Sequence, residues 1–153
     1  MILIIDFGSQ TTHLISRRLR ELGIETKIIE PENFFNKTRK MTYAAIILSG
    51  GPGDVYAPGA PTIDVKVFDL GKPILGICYG EQLMAHLLGG EARLGKKKEY
   101  GPATLKLTED SPLFDIPGLK TKDQRLMTMN VWMNHGVEVT KAPTGFKTIG
   151  VTD

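Results

Sequence analysis

The feature that most constrains the fold of this chain is a single cysteine set between two glycines. Gly76, Cys78 and Gly80 form the spacing G-x-C-x-G, with an apolar run before it and a helix-like run after it. This spacing is typical of a nucleophile elbow, where a strand turns sharply into a helix and small residues must flank the reactive side chain. A buried structural cysteine beside helix-packing glycines is the alternative. The paired glycines and the switch from strand to helix favour the nucleophile.

The apolar pattern around the elbow predicts an α/β fold. Short runs rich in Ile, Leu and Val, bounded by glycines and polar residues, are typical of buried strands. Strands that alternate with helices imply right-handed crossovers and a doubly wound, mostly parallel sheet with helices on both faces. The predicted strands are 2–5, 24–29, 44–48 and 73–77.

Helices are predicted between these strands. After the first strand, Leu14, Ile15, Leu19 and Leu22 recur at helical spacing and predict one apolar face that packs on the sheet. The segment 62–70 predicts a second helix, because its apolar residues share one side and a glycine follows it.

The pattern changes after residue 90. Alternating runs at 103–107 and 131–139, separated by prolines, predict a small antiparallel excursion, and 146–151 predicts one more strand. The length of 153 residues suits a single domain over 1–153.

The composition narrows the range of partners and compartments. A net charge of +2 gives no reason to expect nucleic acid as a partner. One cysteine excludes an internal disulfide framework and is consistent with a reducing cytoplasm. The apolar start is too short for a signal peptide, and no run approaches the length of a membrane span. We therefore expect a cytoplasmic protein without a nucleic-acid or membrane partner.

A glycine-rich turn is predicted beside the cysteine, because the carboxyl ends of parallel strands meet at one edge of the sheet. The turn Ser-Gly-Gly-Pro-Gly at 49–53 does not fit the Walker pattern, since Asp54 and Val55 follow it where Lys and Ser or Thr are needed. Its backbone N–H groups could bind an oxyanion, with the N–H of Tyr79 as the second donor. A plain turn is the alternative.

Other polar residues near the elbow are candidates for the same site. The helix that follows Cys78 has a dipole that favours the thiolate. Gln82 shares a helix face with the cysteine and could orient a substrate, or it could be an exposed helix glutamine. Among the histidines, His13 is most simply structural and His86 lies too far along the helix, which leaves His135 as a candidate base.

Together these residues resemble the class I (triad-type) glutamine amidotransferase family, which has a flavodoxin-like α/β fold. The elbow is specific for the family, and the elements Phe-Gly-Ser-Gln, Cys-Tyr-Gly and Trp-Met-x-His-Gly indicate its GMP synthetase branch. The resemblance extends over essentially the whole chain. The matching elements are DFGSQ at 6–10, ILSGGP at 47–52, GICYG at 76–80 with Gln82, EYG at 99–101 and VWMNHG at 131–136.

The resemblance implies a specific reaction. Cys78 is expected to attack the side-chain amide of glutamine, release ammonia and form a glutamyl thioester that water hydrolyses to glutamate. Backbone N–H groups of Gly51 and Tyr79 are expected to stabilise the tetrahedral oxyanion. The residues expected to bind the substrate are Gln82, Gly53 and a loop formed by Asn134, His135, Gly136 and Val137.

The resemblance also implies a partner. In the family, ammonia passes to an ATP pyrophosphatase module that adenylylates xanthosine monophosphate and makes GMP. ATP and Mg are expected in that module, which would be a separate chain or a further domain, because nothing in 1–153 matches its ATP-binding loop. No cofactor and no metal are expected in the amidotransferase domain itself.

Two features depart from the family pattern. Asn134 and Val137 stand where the family usually has Ser and Asp, and Val137 removes a carboxylate. The His-Pro-Glu element that supplies the catalytic base and its orienting acid does not occur in 1–153. We therefore expect the C-terminal part of the domain to be missing, and these residues alone to turn over little or no glutamine.

Two other functions stay open from the sequence. One is a catalytically incomplete module of the same fold that binds glutamine or regulates a synthetase partner. The other is a different cysteine hydrolase of the elbow class, such as a γ-glutamyl peptidase or an intracellular peptidase. The presence of Cys78, Gln82 and Gly51 together favours an active amidotransferase over the incomplete module. Trp132 and Tyr79 favour an amidotransferase over the other cysteine hydrolases.

Overall fold

A computed structural model of the chain describes residues 1–109, 111–114 and 128–152, except for the side chains of 94–100, 134 and 135. Two β-sheets and three α-helices make up most of this part of the chain. The strands are β1 Ile2–Ile5, β2 Thr26–Ile29, β3 Ala45–Leu48, β4 Ile74–Gly76, β5 Glu91–Leu107, β6 Thr128–Lys141 and β7 Gly150–Thr152. The helices are α1 Thr12–Glu21, α2 Phe34–Thr38 and α3 Tyr79–Leu87, with 3-10 helices at Pro31–Asn33, Val65–Leu70 and Pro112–Phe114.

The first sheet is parallel, with the strand order β2-β1-β3-β4. The chain moves to one side of β1 for β2 and to the other side for β3 and β4, so right-handed crossovers place α1 and α2 on opposite faces. Leu3, Ile4 and Ile5 are consecutive and all fully buried, although their side chains alternate between the two faces. Both faces are therefore covered, and the predicted doubly wound α/β sheet is confirmed.

The principal core lies on one face of this sheet. Buried residues of β1 and β3, Leu3, Ile5, Ile46 and Leu48, form its sheet side. The side chains that pack over them come from α2, from the 3-10 helix before β4 and from α3; they are Phe34, Val67, Tyr79 and Leu83. The helix that follows the cysteine is thus anchored in the core from its first residue.

The predicted apolar face of α1 holds for Ile15 and Leu19, which are half-buried, and is wrong for Leu14 and Leu22. Leu14 and Leu22 are 56% and 76% exposed, whereas Thr12 and Ser16 are buried. The buried hydroxyls make hydrogen bonds, since Thr12 Oγ1 donates to Asp6 Oδ1 at 2.9 Å and Ser16 Oγ lies 2.7 Å from a threonine hydroxyl of β2. The face of this helix that meets the sheet therefore combines half-buried apolar side chains with hydroxyls that bond near the strand ends.

The second sheet is antiparallel, with the order β6-β5-β7, which confirms the predicted excursion. The stretch 134–137, predicted as a binding loop, is instead part of β6. Its backbone pairs with β5, with Leu94 opposite Val137 and Glu99 opposite His135, and a register shift separates these pairs. The glycine and asparagine in this stretch favour a loop locally, but ladder pairing with β5 holds it as a strand.

Smaller differences concern the ends of elements. The helix predicted over 62–70 is a 3-10 helix over Val65–Leu70, capped by Asp64, whose Oδ1 accepts a hydrogen bond from Lys66 N at 2.9 Å. The strand predicted over 146–151 covers only Gly150–Thr152.

The tightest backbone contact of α3 generates a prediction. A Cβ atom at Gly80 would collide with the backbone oxygen of Leu48 at the end of β3. We expect Gly80→Ala to lower the free energy of unfolding by about 2 kcal/mol or more, because neither the strand end nor the helix can move aside cheaply. Urea denaturation followed by circular dichroism measures the change.

The matched control is Gly53→Ala, whose added Cβ would meet only Tyr79 Cε2 at an ordinary 3.8 Å. It should change the free energy of unfolding by no more than about 0.5 kcal/mol. Equal stability losses in the two variants would contradict the close packing of α3 on β3.

Candidate active site

The strand-to-helix turn predicted around Cys78 is present. Cys78 has φ 50° and ψ −112°, and among the described residues it is the one non-glycine residue with a positive φ. This conformation is strained for an L-residue and persists only where the surrounding structure imposes it. A Cβ at Gly76 would lie 2.7 Å from both Cα and N of Glu81, which shows how closely the chain folds back. The turn therefore presents the sulfur at the carboxyl edge of the sheet.

The thiol of Cys78 is free and accessible to solvent. Partial burial of the thiol raises its pKa, and the negative charge of nearby Glu81 raises it further. Burial and Glu81 therefore act against the dipole at the start of α3, which favours the thiolate. A base that accepts the thiol proton would make the sulfur a stronger nucleophile.

The glycine turn at 49–53 lies next to the cysteine. The hydroxyl of the buried Ser49 accepts a hydrogen bond from Phe7 N at 3.1 Å and donates to Gly50 O at 2.8 Å. A Cβ on Gly50 would lie 3.8 Å from Cys78 Cβ and 3.3 Å from Ser9 Oγ. The turn is thus held by β1 and passes beside the nucleophile, as the shared carboxyl edge predicted. Ser49 was not singled out from the sequence, since only its burial shows that it ties the two strand ends together.

Gln82 is buried and bonded, not an exposed helix residue. Its side chain is 7% exposed, and Nε2 donates to the backbone oxygen of Val137 at 3.1 Å. This bond joins α3 to β6 next to Gly136. The side chains of Asn134 and His135 lie outside the described residues, while their backbone belongs to β6. The helix face that carries the cysteine is therefore attached to the strand that contains the predicted substrate residues.

Cys78, Glu81 and Gln82 open onto a cleft of about 790 Å³ between α3 and the antiparallel sheet. Its opposite wall includes Trp132 and Phe146. A second cleft, of about 700 Å³, is lined by residues such as Tyr43 and Lys72 that precede β3 and β4. That cleft lies at the amino edge of the sheet, away from the cysteine and the glycine turn, so the first cleft is the candidate active site.

Neither described histidine side chain acts on Cys78. His13 is exposed on α1. The ring of His86 packs edge-on against Tyr56, with 4.7 Å between ring centroids, about two helical turns beyond the cysteine. Within the same part of the chain, no group of three or more His, Cys, Asp or Glu residues is placed to hold a metal ion. None of the helices described is long and apolar enough to cross a bilayer.

A strained cysteine at a strand-to-helix turn, beside a glycine turn on a parallel α/β sheet, defines the class of proteins with a cysteine elbow. Comparison with known families identifies the particular family. The model of the family described as glutamine amidotransferase class-I matches residues 3–153. The chain belongs to this family, which confirms the predicted resemblance.

Individual relatives agree with this assignment. The chain is 45% identical over 152 residues to a GMP synthase [glutamine-hydrolyzing] of Oleidesulfovibrio alaskensis and 44% identical to that of Pyrobaculum aerophilum. Each match covers 99% of this chain and 28% of the relative, so the chain spans little more than a quarter of these proteins. The crystal structure of a provisionally assigned GMP synthase component from Thermoplasma acidophilum superimposes with a TM-score of 0.78 at 29% identity, over 99% of this chain and 72% of that one.

The raised pKa of Cys78 generates a prediction for Glu81→Gln. Removing the carboxylate removes its repulsion of the thiolate, so the pKa of Cys78 should fall towards its ordinary value. The rate of alkylation by iodoacetamide rises as the thiol loses its proton, and its midpoint should therefore move to lower pH. At pH 7.5 we expect the variant to react about twofold faster or more.

Glu25→Gln is the matched control, because Glu25 is exposed and precedes β2 at the other edge of the sheet. Its alkylation profile should coincide with that of the unmodified protein. An unchanged midpoint in Glu81→Gln would show that this carboxylate does not act on the thiol.

The bond from Gln82 to Val137 generates a second prediction. Gln82→Glu replaces a buried donor with a carboxylate that faces a carbonyl oxygen, and should lower the free energy of unfolding by about 2 kcal/mol. Part of the loss should be recovered at acidic pH, where the introduced carboxyl is protonated and can donate. Gln10→Glu, at an exposed glutamine, should stay within about 0.5 kcal/mol of the unmodified protein. Similar losses in both variants, measured by urea denaturation at pH 7, would contradict the role given to Gln82.

Proposed function

We propose that this chain is the glutaminase component of a GMP synthetase. In this proposal Cys78 hydrolyses glutamine to glutamate and ammonia, and the ammonia aminates xanthosine monophosphate to GMP on a synthetase module. The observation that carries the proposal is the strained Cys78 turn beside the glycine turn, at the edge of a cleft. The relatives named GMP synthase [glutamine-hydrolyzing] support GMP as the nucleotide that is made.

The first step forms a thioester. The thiolate of Cys78 attacks the carboxamide carbon of glutamine, and the carbonyl oxygen takes up the negative charge. Backbone N–H groups of Gly51 and Tyr79 are assigned to bind that oxygen. The approach of Gly50 to Cys78 supports this assignment, because it brings the next peptide group of the turn to the same side of the sulfur. Such donors, oriented before the reaction, stabilise the charge that develops in the transition state.

The second step completes the hydrolysis. Collapse of the tetrahedral intermediate breaks the C–N bond, and the leaving nitrogen gains a proton and departs as ammonia. Water then attacks the thioester, releases glutamate and returns the proton to the sulfur. Since the pKa of Cys78 is raised, both steps need a group that accepts and returns a proton. The family resemblance assigns this role to a His-Pro-Glu element, which does not occur in 1–153, so we expect these residues alone to react slowly with glutamine.

The amino-acid end of glutamine is assigned to Gln82 and to β6, which faces α3 across the cleft. The bond from Gln82 to Val137 supports this assignment, because it holds β6 beside the cleft. The valine in place of the usual aspartate packs its side chain against the core and offers no charge. The residues proposed to contact the substrate are Gln82, Gly53, Asn134, His135, Gly136 and Val137.

The partner in this proposal is the ATP pyrophosphatase module. The relatives are named GMP synthase [glutamine-hydrolyzing], and this chain aligns with 28% of their length, so the remaining length is assigned to the module that uses ATP and Mg. The amidotransferase domain itself is proposed to need neither. Its cleft holds a thiol, an amide and backbone groups, which suffice for amide hydrolysis once a base is supplied.

The test uses an electrophilic glutamine analogue, 6-diazo-5-oxo-norleucine, with mass spectrometry to locate the adduct. We expect a single adduct on Cys78, protection by glutamine and no protection by asparagine, which is one methylene shorter. Cys78→Ala should give no adduct. Ammonia release from glutamine, measured with and without a GMP synthetase ATP pyrophosphatase module, should increase when the module is present.

Other outcomes distinguish the remaining functions. Glutamine binding measured by calorimetry, without an adduct on Cys78, would indicate a binding module and contradict the catalytic role. Stronger protection by a γ-glutamyl dipeptide than by glutamine would indicate a peptidase of the same class.

A further inference from the structure

We infer that the side chain of Tyr79 is a positioning residue that holds the glycine turn at 50–53 in the geometry that binds the oxyanion. The inference rests on the proposed function and deepens it. The backbone N–H of Tyr79 is assigned as one oxyanion donor, and its side chain lies in the core.

Tyr79 forms a hydrogen bond with the loop that contains the glycine turn. Its side chain is 1% exposed, and its ring lies 5.5 Å from that of Phe7, centroid to centroid. The hydroxyl donates to the backbone oxygen of Pro61 at 2.5 Å. Pro61 lies 18 residues before the tyrosine, in the loop that runs from the glycine turn to the 3-10 helix at Val65–Leu70. A buried tyrosine hydroxyl usually finds a hydrogen-bond partner, and here the partner belongs to the loop that carries the glycine turn.

The ring of Tyr79 also forms the floor of the glycine turn. A Cβ on Gly51 would lie 3.0 Å from Tyr79 Cγ and 3.2 Å from Cδ1, and a Cβ on Gly53 would lie 3.8 Å from Cε2. The same atom on Gly51 would lie 2.9 Å from the backbone oxygen of Phe7. Two glycines of the turn thus rest on one ring, and the first of them has no room for a side chain.

A second tyrosine secures the outer part of the same loop. Tyr56 N donates to Asp54 Oδ1 at 3.0 Å, and the Tyr56 hydroxyl accepts from Ala92 N at 3.0 Å. Its ring packs on His86 near the end of α3. The loop is therefore attached near both ends of the helix that carries the cysteine, with Tyr79 as the attachment closest to the sulfur.

The hydroxyl of Tyr79 stays protonated over a wide range of pH. Burial raises its pKa, and the charge of Asp54 raises it further. The hydroxyl can therefore donate to Pro61 up to a higher pH than an ordinary tyrosine hydroxyl could. Because one residue supplies one donor through its backbone and supports the other through its ring, the spacing between the two donors is determined at Tyr79.

The test compares two reagents at Cys78 in Tyr79→Phe, which keeps the ring and removes the hydroxyl. Glutaric semialdehyde adds reversibly, so that a C–S bond forms and the thiol proton passes to the former carbonyl oxygen, which the turn must bind. Iodoacetamide displaces iodide and needs no oxyanion site. The degree to which the aldehyde protects Cys78 from iodoacetamide gives the affinity of the aldehyde. We expect this affinity to weaken about fivefold to tenfold in Tyr79→Phe, with the alkylation rate unchanged within about twofold.

Tyr43→Phe is the matched control, because Tyr43 packs on Phe34 before β3, at the other edge of the sheet. This variant should change neither the aldehyde affinity nor the rate of alkylation by iodoacetamide. Hydrogen exchange in Tyr79→Phe should be faster in the peptide covering 50–61 and unchanged in β1 and β3, which separates a loosened loop from a destabilised fold.

Three results would overturn the inference. One is equal aldehyde affinity in Tyr79→Phe and the unmodified protein, and another is unchanged exchange in 50–61. The third is an unmodified protein that the aldehyde does not protect, which would remove the proposed function and the inference with it. The first two leave the glutaminase proposal intact, because adduct formation on Cys78 is measured independently.

Discussion

The structure depends on the close contact between the start of α3 and the ends of β3 and β4. Gly80 lies against the backbone of Leu48. Cys78, in the turn between β4 and α3, is held at a positive φ. Backbone strain of this kind needs compensating packing, which Tyr79 and Leu83 provide by burying their side chains in the core. The position of the sulfur is therefore set by the packing of the sheet and not by a flexible loop, which is the condition that a preorganised site requires.

The site is assembled from parts that are distant in the chain. The glycine turn follows β3, the cysteine follows β4, and the far wall of the cleft comes from the antiparallel sheet. Single polar contacts join these parts, notably Gln82 to Val137 and Tyr79 to Pro61. Because buried hydrogen bonds are costly to leave unmade, a few of them suffice to align elements whose apolar packing alone allows small shifts.

Most of the fold was predictable because buried parallel strands are local apolar runs. The exceptions are residues whose tertiary contacts outweigh their own preference for burial or for a type of secondary structure. On α1, Thr12 and Ser16 are buried by hydrogen bonds while Leu14 is exposed. In β6, backbone pairing with β5 overrides the loop preference of the stretch at 134–137. Local propensity is a weak guide wherever tertiary contacts compete with it.

The sequence by itself determined the elbow, the parallel α/β class and the family, because these follow from residue types at fixed short spacing. Only the tertiary structure decided what surrounds the elbow. It buried Gln82 against a carbonyl 55 residues away and placed the ring of Tyr79 beneath the glycine turn. It also surrounded Cys78 with burial and the charge of Glu81, which raise the pKa of the thiol and oppose the dipole at the start of the helix. These properties depend on distances between groups far apart in the chain, which residue spacing does not encode.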